Sequence, residues 1–173
     1  MKFSLIITFL ITSSFAQQKG ESIEFISANP FSFYHVITDL ENQESQKVFG
    51  ILRFPENSEW KNLPLVLGVA GSMAWSDHHL EYLQMYREMG MATFELKSFA
   101  SRNITSTVGT QVEVTSAMMI LDAYKAIAVL GNDPRIDIDR VAITGWSLGG
   151  SVALFSAWQP LKNAITSHHS FKA

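Results

Sequence analysis

The 173-residue chain contains no cysteine and few charged residues. The lack of cysteine excludes disulfides, a cysteine nucleophile and thiolate metal sites, and it leaves the redox compartment undetermined. Charged side chains make up 17% of the residues, the formal net charge is -3, and no run is rich in lysine or arginine. Phosphate binding needs clustered positive charge, so we expect no nucleic-acid partner. Hydrophobic residues make up 47%, and the length suffices for one domain with a substantial core.

Long apolar runs are also missing from the chain after its N-terminus. There, a positively charged start precedes a mostly apolar run over 3–11 and small residues at Ser14 and Ala16. This pattern predicts a secretory signal peptide over 1–16 and a mature chain over 17–173. The alternative is a membrane anchor, but the run is well short of the roughly 20 residues that a spanning helix needs. We therefore expect a secreted or periplasmic protein that is free of the membrane in its mature form.

Strands and helices alternate through most of the mature chain. Apolar and β-branched runs predict strands at 22–27, 47–54, 65–70, 91–96 and 141–144, with further candidates at 31–38 and 164–168. Helical spacing and terminal residues predict a helix capped by Asp77 and helices over 112–130 and 149–158. This alternation is typical of βαβ units, so we predict an α/β fold with a mostly parallel sheet flanked by helices.

One segment carries most of the functional information. A short buried strand, Val141–Thr144, runs straight into Gly145-Trp146-Ser147-Leu148-Gly149. This G-x-S-x-G pattern between a strand and a helix is the nucleophile elbow of α/β-hydrolases, in which a sharp turn lifts the serine above the sheet. Glycines are needed on both sides of the serine because a side chain there would collide with neighbouring backbone.

The region from Pro64 to Ala173 resembles the dienelactone hydrolase-like branch of the α/β-hydrolases. The most specific match is Asp133–Ala142 followed by Gly145–Gly150. Upstream, Leu65–Ser72 is similar to the strand and His-Gly-Ser loop of that group, with Ala70 where the family often has histidine. The resemblance implies an α/β-hydrolase fold that stops before the last strands and helices, where the family carries its Asp and His.

The resemblance also implies a chemistry. Ser147 would be the nucleophile that forms an acyl-enzyme with a small ester or lactone. The backbone N–H of Leu148, which follows the nucleophile, and that of Ser72 would form the oxyanion hole. No cofactor is implied. A metal site is not indicated, because His78 and His79 lack the spacing of metal-ligating pairs.

The residues after Ser147 lack what such a site needs. The 26 residues that follow it contain no Asp and no Glu, whereas the triad order in this fold is Ser, then Asp or Glu, then His. The histidines to consider are His35, His78, His79, His168 and His169. We expect the last two at the end of a strand rather than in the late loop that bears the base. We expect His78 and His79 to point apart at a helix start.

The acidic residues are interpreted mostly as structural. Asp133, Asp137 and Asp139 lie where aspartate commonly bonds local backbone. Asp122 falls within a predicted helix. Glu95, in an apolar strand near the carboxyl edge of the sheet, is the one carboxylate worth following. It could face the site, but an edge-facing or paired role is favoured.

Two classes of function remain open. The chain is an exported serine hydrolase of esters or lactones whose acid and base lie outside this sequence, or a non-catalytic secreted protein that keeps the hydrolase scaffold. Acyl transfer on the same serine is a weaker third hypothesis. The elbow and the upstream loop favour the hydrolase.

Overall fold

The computed structural model describes residues 20–56, 59–166 and 168–173. The predicted signal peptide over 1–16 lies outside the described residues. The strands are β1 (Glu21–Ala28), β2 (Ser45–Arg53), β3 (Leu63–Val69), β4 (Ala92–Leu96) and β5 (Ile136–Gly145). The helices are α1 (Phe33–Thr38), α2 (Asp77–Glu88), α3 (Ser116–Leu130), α4 (Leu148–Ser156) and α5 (Gln159–Ile165), with 3₁₀ turns at Leu40–Asn42 and Ala100–Arg102. Among these helices, none has the length and apolar character needed to cross a bilayer.

The strands form one sheet in the order β1-β2-β4-β3-β5. β2 is antiparallel to both of its neighbours, whereas β3 runs parallel to β4 and to β5. All of these strands except β2 therefore point the same way, which confirms the predicted α/β fold with a mostly parallel sheet. In register, Val69 pairs with Leu96 on one side and Gly145 on the other. The carboxyl ends of β3, β4 and β5 consequently lie together at one edge.

Helices cover both faces of the sheet. Alternation along β3 sends Leu67 and Val69 into the main core, which they share with apolar residues of α3 and α4. Gly68 faces the other way, where a Cβ would lie 2.9 Å from the Trp75 ring and 3.1 Å from Leu83 of α2. The α2 helix can lie this close to β3 because residue 68 has no side chain.

A buried ion pair joins the loop after β4 to α3. Both terminal nitrogens of Arg102 bind the Asp122 carboxylate, at 2.8 and 3.1 Å. The same guanidinium donates to the carbonyl oxygens of Ala28 and Ser98. Asp122 is fully buried, so this pair has the satisfied geometry that a buried charge requires. The structural interpretation of Asp122 is thereby supported.

Two predicted strands are not formed. Residues 33–38 form α1, which buries Val36 and sets Phe33 against Phe155 at a ring-centroid distance of 5.3 Å. The predicted strand at 164–168 is wrong because α5 continues to Ile165 and Thr166 already lies beyond it; residue 167 is outside the described residues. Both segments are short, and helical and strand periodicity cannot be told apart over so few residues.

Two helix starts differ from expectation. The helix predicted over 112–130 begins at Ser116, because the Thr115 side chain accepts a hydrogen bond from the Met118 N–H at 3.3 Å and caps it. The cap of α2 is Ser76, and Asp77 is the first helical residue. Both caps belong to the Ser/Thr class that favours helix N-termini.

The last residues run alongside β5. The Lys172 N–H donates to the Val141 carbonyl, and the Ile143 N–H donates to the Ala173 carbonyl, each at 2.8 Å. Phe171 packs on Tyr124 of α3 at a centroid distance of 5.1 Å. Lys172 and Ala173 therefore pair part of the edge of β5.

Candidate active site

Ser147 occupies a sharp turn between β5 and α4. Its backbone has φ 53° and ψ -114°, a region that residues other than glycine rarely adopt. Such a conformation costs about 1–3 kcal/mol and persists only where the surroundings enforce it. The side chain is exposed above the carboxyl edge of the sheet. This is the elbow geometry predicted from the G-x-S-x-G pattern.

The two glycines of the pattern are required by close backbone approach. A Cβ on Gly145 would lie 2.1 Å from the Gly149 carbonyl oxygen. A Cβ on Gly149 would lie 2.2 Å from the carbonyl oxygen of Val69. Side chains larger than hydrogen would therefore push α4 away from both β5 and β3.

Leu148 is the first residue of α4, directly after the serine. The first N–H groups of a helix have no partner within it, and they form the positive end of the helix dipole. The next two helical residues turn back on the elbow, since Gly149 donates to the Trp146 carbonyl and Gly150 to the Ser147 carbonyl, each at 2.9 Å. The Leu148 N–H thus lies at the N-terminus of α4, directly after the serine.

The β3–α2 loop, residues 70–76, lies against the elbow. A Cβ on Gly71 would lie 3.1 Å from the Trp146 carbonyl oxygen and 3.5 Å from Ser147 Cβ. The loop turns at once, with the Ala74 N–H donating to the Gly71 carbonyl at 2.9 Å. The carbonyl of Ser72 is held by the Thr107 N–H at 2.9 Å. These contacts place Ser72 in the turn that faces the elbow.

An aromatic block joins the end of this loop to the elbow, and sequence reasoning missed it. The imidazole of His79 stacks on the Trp146 indole at a centroid distance of 4.6 Å and 27° between planes. The Trp75 indole meets both rings edge-on, at 5.9 and 6.0 Å, and donates from Nε1 to the Leu96 carbonyl at 2.9 Å. The available signal was Ser76-x-x-His79, which has the spacing of a capping box with His in place of Glu or Gln.

The prediction that His78 and His79 point apart is wrong. Their ring centroids lie 4.0 Å apart, because both Nδ1 atoms turn towards the Ser76 hydroxyl, at 2.9 and 3.3 Å. His79 is buried and His78 is exposed. Burial lowers the pKa of His79 below its usual 6.5, and the neighbouring His78 lowers it further. Both effects favour the neutral form of the imidazole.

Glu95 forms ion pairs within a buried cluster and does not pair with Ser147. Its carboxylate binds Arg53 on β2 and Lys97 Nζ at 2.7 Å. Lys97 also lies 5.1 Å from the centroid of the Trp75 ring. Burial, with a contribution from Arg53, lowers the pKa of Lys97 to about 8. The paired role considered for Glu95 at the sequence level is the one observed.

The other histidines and acids remain apart from the serine. His35 Nδ1 lies 3.1 Å from the Ser32 hydroxyl in α1. The His168 and His169 backbone N–H groups bond Thr166 Oγ1. The aspartates after α3 pair locally, Asp133 with Arg135 and Asp137 with Arg140. Within the described ranges, the Ser147 hydroxyl has no hydrogen-bond partner. In the same part of the chain, no group of His, Asp and Glu could hold a metal ion.

The sheet order, the elbow and the flanking helices define an α/β-hydrolase fold. A family model described as acetyl xylan esterase matches residues 113–171, the part of the chain that contains α3, β5, the elbow and α4. Among curated proteins nothing matches.

Solved structures of hydrolases share the fold. A dienelactone hydrolase-like promiscuous phosphotriesterase from metagenomic libraries has a TM-score of 0.55 at 15% identity, over 79% of this chain and 53% of its own. An acetyl xylan esterase from Paenibacillus sp. R4 has a TM-score of 0.51 at 15% identity, over 82% and 46%. Est1E from Butyrivibrio proteoclasticus with bound ferulic acid has a TM-score of 0.53 at 17% identity, over 69% and 46%.

These comparisons confirm the likeness to dienelactone hydrolase-like and acetyl xylan esterase proteins at the level of fold. They also show that this chain spans about half the length of the structures it matches.

Proposed function

We propose that this chain carries the nucleophile and oxyanion half of a serine hydrolase that acts on small carboxylic esters or lactones. The observation that carries the proposal is the backbone of Ser147, held at φ 53° with its side chain exposed and the free end of α4 next to it. Ser147 has a strained backbone at the positive N-terminal end of α4, and this strain reduces the stability of the fold. Strained residues of this kind cluster at functional sites. The acetyl xylan esterase family match over this segment supports the same chemistry.

In the proposed reaction, Ser147 Oγ attacks the carbonyl carbon of the substrate as its proton passes to a base. The carbonyl oxygen becomes an oxyanion that accepts hydrogen bonds from the Leu148 and Ser72 N–H groups. Collapse of this intermediate breaks the ester bond, releases the alcohol with a proton and leaves an acyl-serine that water hydrolyses. Losing one oxyanion donor typically costs about 10²–10³ in turnover.

The proposed reaction also needs a general base and the carboxylate that orients it. No histidine ring is bonded to the Ser147 hydroxyl among the described residues, and none of the residues after it is acidic. We propose that both groups lie on chain outside this sequence, in line with the half-length match to hydrolase structures. An unactivated serine hydroxyl is a weak nucleophile, so the 173-residue chain alone should be inert.

The test is sequencing of the transcript past codon 173, followed by labelling of its product with a fluorophosphonate probe. The proposal predicts an open reading frame that continues, and labelling that is lost in Ser147→Ala. A stop codon at that point would refute the missing-half proposal. It would favour the alternative, a non-catalytic secreted protein with a hydrolase scaffold.

We further propose export through the signal peptide at 1–16. The measurement is N-terminal sequencing of the product recovered outside the cytoplasm. Export predicts a mature start at Gln17, and retention of Met1 on that product would contradict it.

A further inference from the structure

The His79 ring makes two contacts at once. Its Nδ1 accepts a hydrogen bond from the Ser76 N–H at 3.3 Å, which closes the capping box of α2. Its face stacks on the Trp146 indole at 4.6 Å. With 6% of its surface exposed, the ring is buried between the β3–α2 loop and the elbow.

No other residue type common at this position would make both contacts. The third helical residue of a capping box is usually Glu or Gln, whose side chain reaches back to the N-cap N–H. Such a chain has no aromatic face to stack. Phenylalanine would stack but has no acceptor. Histidine supplies the acceptor and the face in one rigid group.

These contacts connect both ends of the proposed oxyanion hole. The β3–α2 loop leaves the sheet next to Gly71, where a Cβ would lie 3.1 Å from the Trp146 carbonyl oxygen. It ends at Ser76, whose N–H donates to His79. Trp146 is the residue before Ser147, and its N–H donates to the Val69 carbonyl at 3.3 Å. The ring of His79 therefore links the end of the loop to the elbow. The loop is then attached to β3 at its start and to Trp146 at its end.

We propose that His79 is a positioning residue, which fixes the Ser72 turn relative to Ser147 by tying the end of the β3–α2 loop to Trp146. The proposal rests on the proposed function, since a fixed distance between loop and elbow matters for an oxyanion hole. Donors for an oxyanion must be held at hydrogen-bond distance before the charge develops. A loop fixed at only one end would not meet that demand.

Two variants separate the two contacts. His79→Gln keeps an acceptor for the Ser76 N–H and removes the stack, whereas His79→Phe keeps the stack and removes the acceptor. The matched control is Glu81→Gln, at an exposed position of the same helix. The readout is site-resolved amide exchange by NMR on the 173-residue chain, at Ala74 and Ser76 in the loop and at Phe94 in the sheet.

Loss of one anchoring contact predicts local loosening. We expect exchange at Ala74 to become about tenfold faster in His79→Gln, and exchange at Ser76 about tenfold faster in His79→Phe. Exchange at Phe94 should match the parent chain in both His79 variants, and the Glu81→Gln control should match it at all three amides. A purely structural role would instead accelerate Phe94 together with the loop, and that result would overturn the proposal. Unchanged exchange at Ala74 and Ser76 would overturn it as well.

Amide exchange measures how readily the loop opens, and it requires no reaction at Ser147. Failure of the fluorophosphonate test would therefore refute the proposed function. The exchange result would still show whether His79 anchors the loop. Loosened loop amides combined with a probe-reactive Ser147 would support both proposals.

Discussion

Gly149→Ala is the substitution whose effect follows most directly from the elbow. The added methyl group would lie 2.2 Å from the Val69 carbonyl oxygen and 2.6 Å from that of Ala70. Both obstacles are backbone, so the strain cannot be relieved by a side-chain rotation. Overpacking of this kind costs about 1–3 kcal/mol, and contact with backbone places it near 3 kcal/mol. For a chain of this size, about 2–4 °C is lost per kcal/mol, so Tm should fall by about 6–12 °C.

The neighbouring glycine is a matched control. A Cβ on Gly150 would lie 3.4 Å from the Gly145 carbonyl oxygen, which is an ordinary contact. Alanine is also the better helix former by up to about 1 kcal/mol, so Gly150→Ala should leave Tm unchanged or raise it slightly. The assay is thermal unfolding followed by circular dichroism at 222 nm. Equal Tm values for the two variants would refute the claim that backbone approach fixes the G-x-S-x-G turn.

Three further predictions concern the rest of the fold. Arg102→Ala leaves the Asp122 carboxylate buried without its partner and should cost about 3–5 kcal/mol in urea unfolding; a cost below 1 kcal/mol would show that the pair is not buried in solution. Thr115→Val removes the cap of α3 and should cost about 0.5–2 kcal/mol, and an unchanged midpoint would contradict the capping hydrogen bond. The pKa of His79 is lower in the folded chain than in the unfolded chain, so acid protonates this ring first in the unfolded chain. The free energy of unfolding should therefore fall as pH drops below 6.5. His79→Gln should flatten that part of the stability profile, and an unaltered slope would contradict the burial of a neutral ring.

Local patterns predicted the part of the site that lies in contiguous sequence. The elbow depends on Gly145, Ser147 and Gly149, which are neighbours in the chain and whose spacing already specifies the turn. The βα alternation and the buried runs of β3 and β4 were also predictable, because strands covered on both faces read as continuous apolar segments.

What could not be predicted depends on contacts between distant segments. Residues 33–38 form a helix because Phe33 packs on Phe155 and Trp158, more than 100 positions away. The stack of His79 on Trp146 joins residues from α2 and the elbow, and neither local pattern points to the other. Glu95 pairs with Lys97 and with Arg53 on β2, and the pattern of its own strand does not identify the partner on β2.

The central claim is that Ser147 is a placed but unactivated nucleophile in these 173 residues. It is tested most directly by intact-mass analysis of the purified chain after exposure to a fluorophosphonate probe, with Ser147→Ala alongside. The account predicts the same background mass for both proteins. A stoichiometric adduct on the parent chain that disappears in Ser147→Ala would contradict it, because that result would show that the base is already present within this sequence.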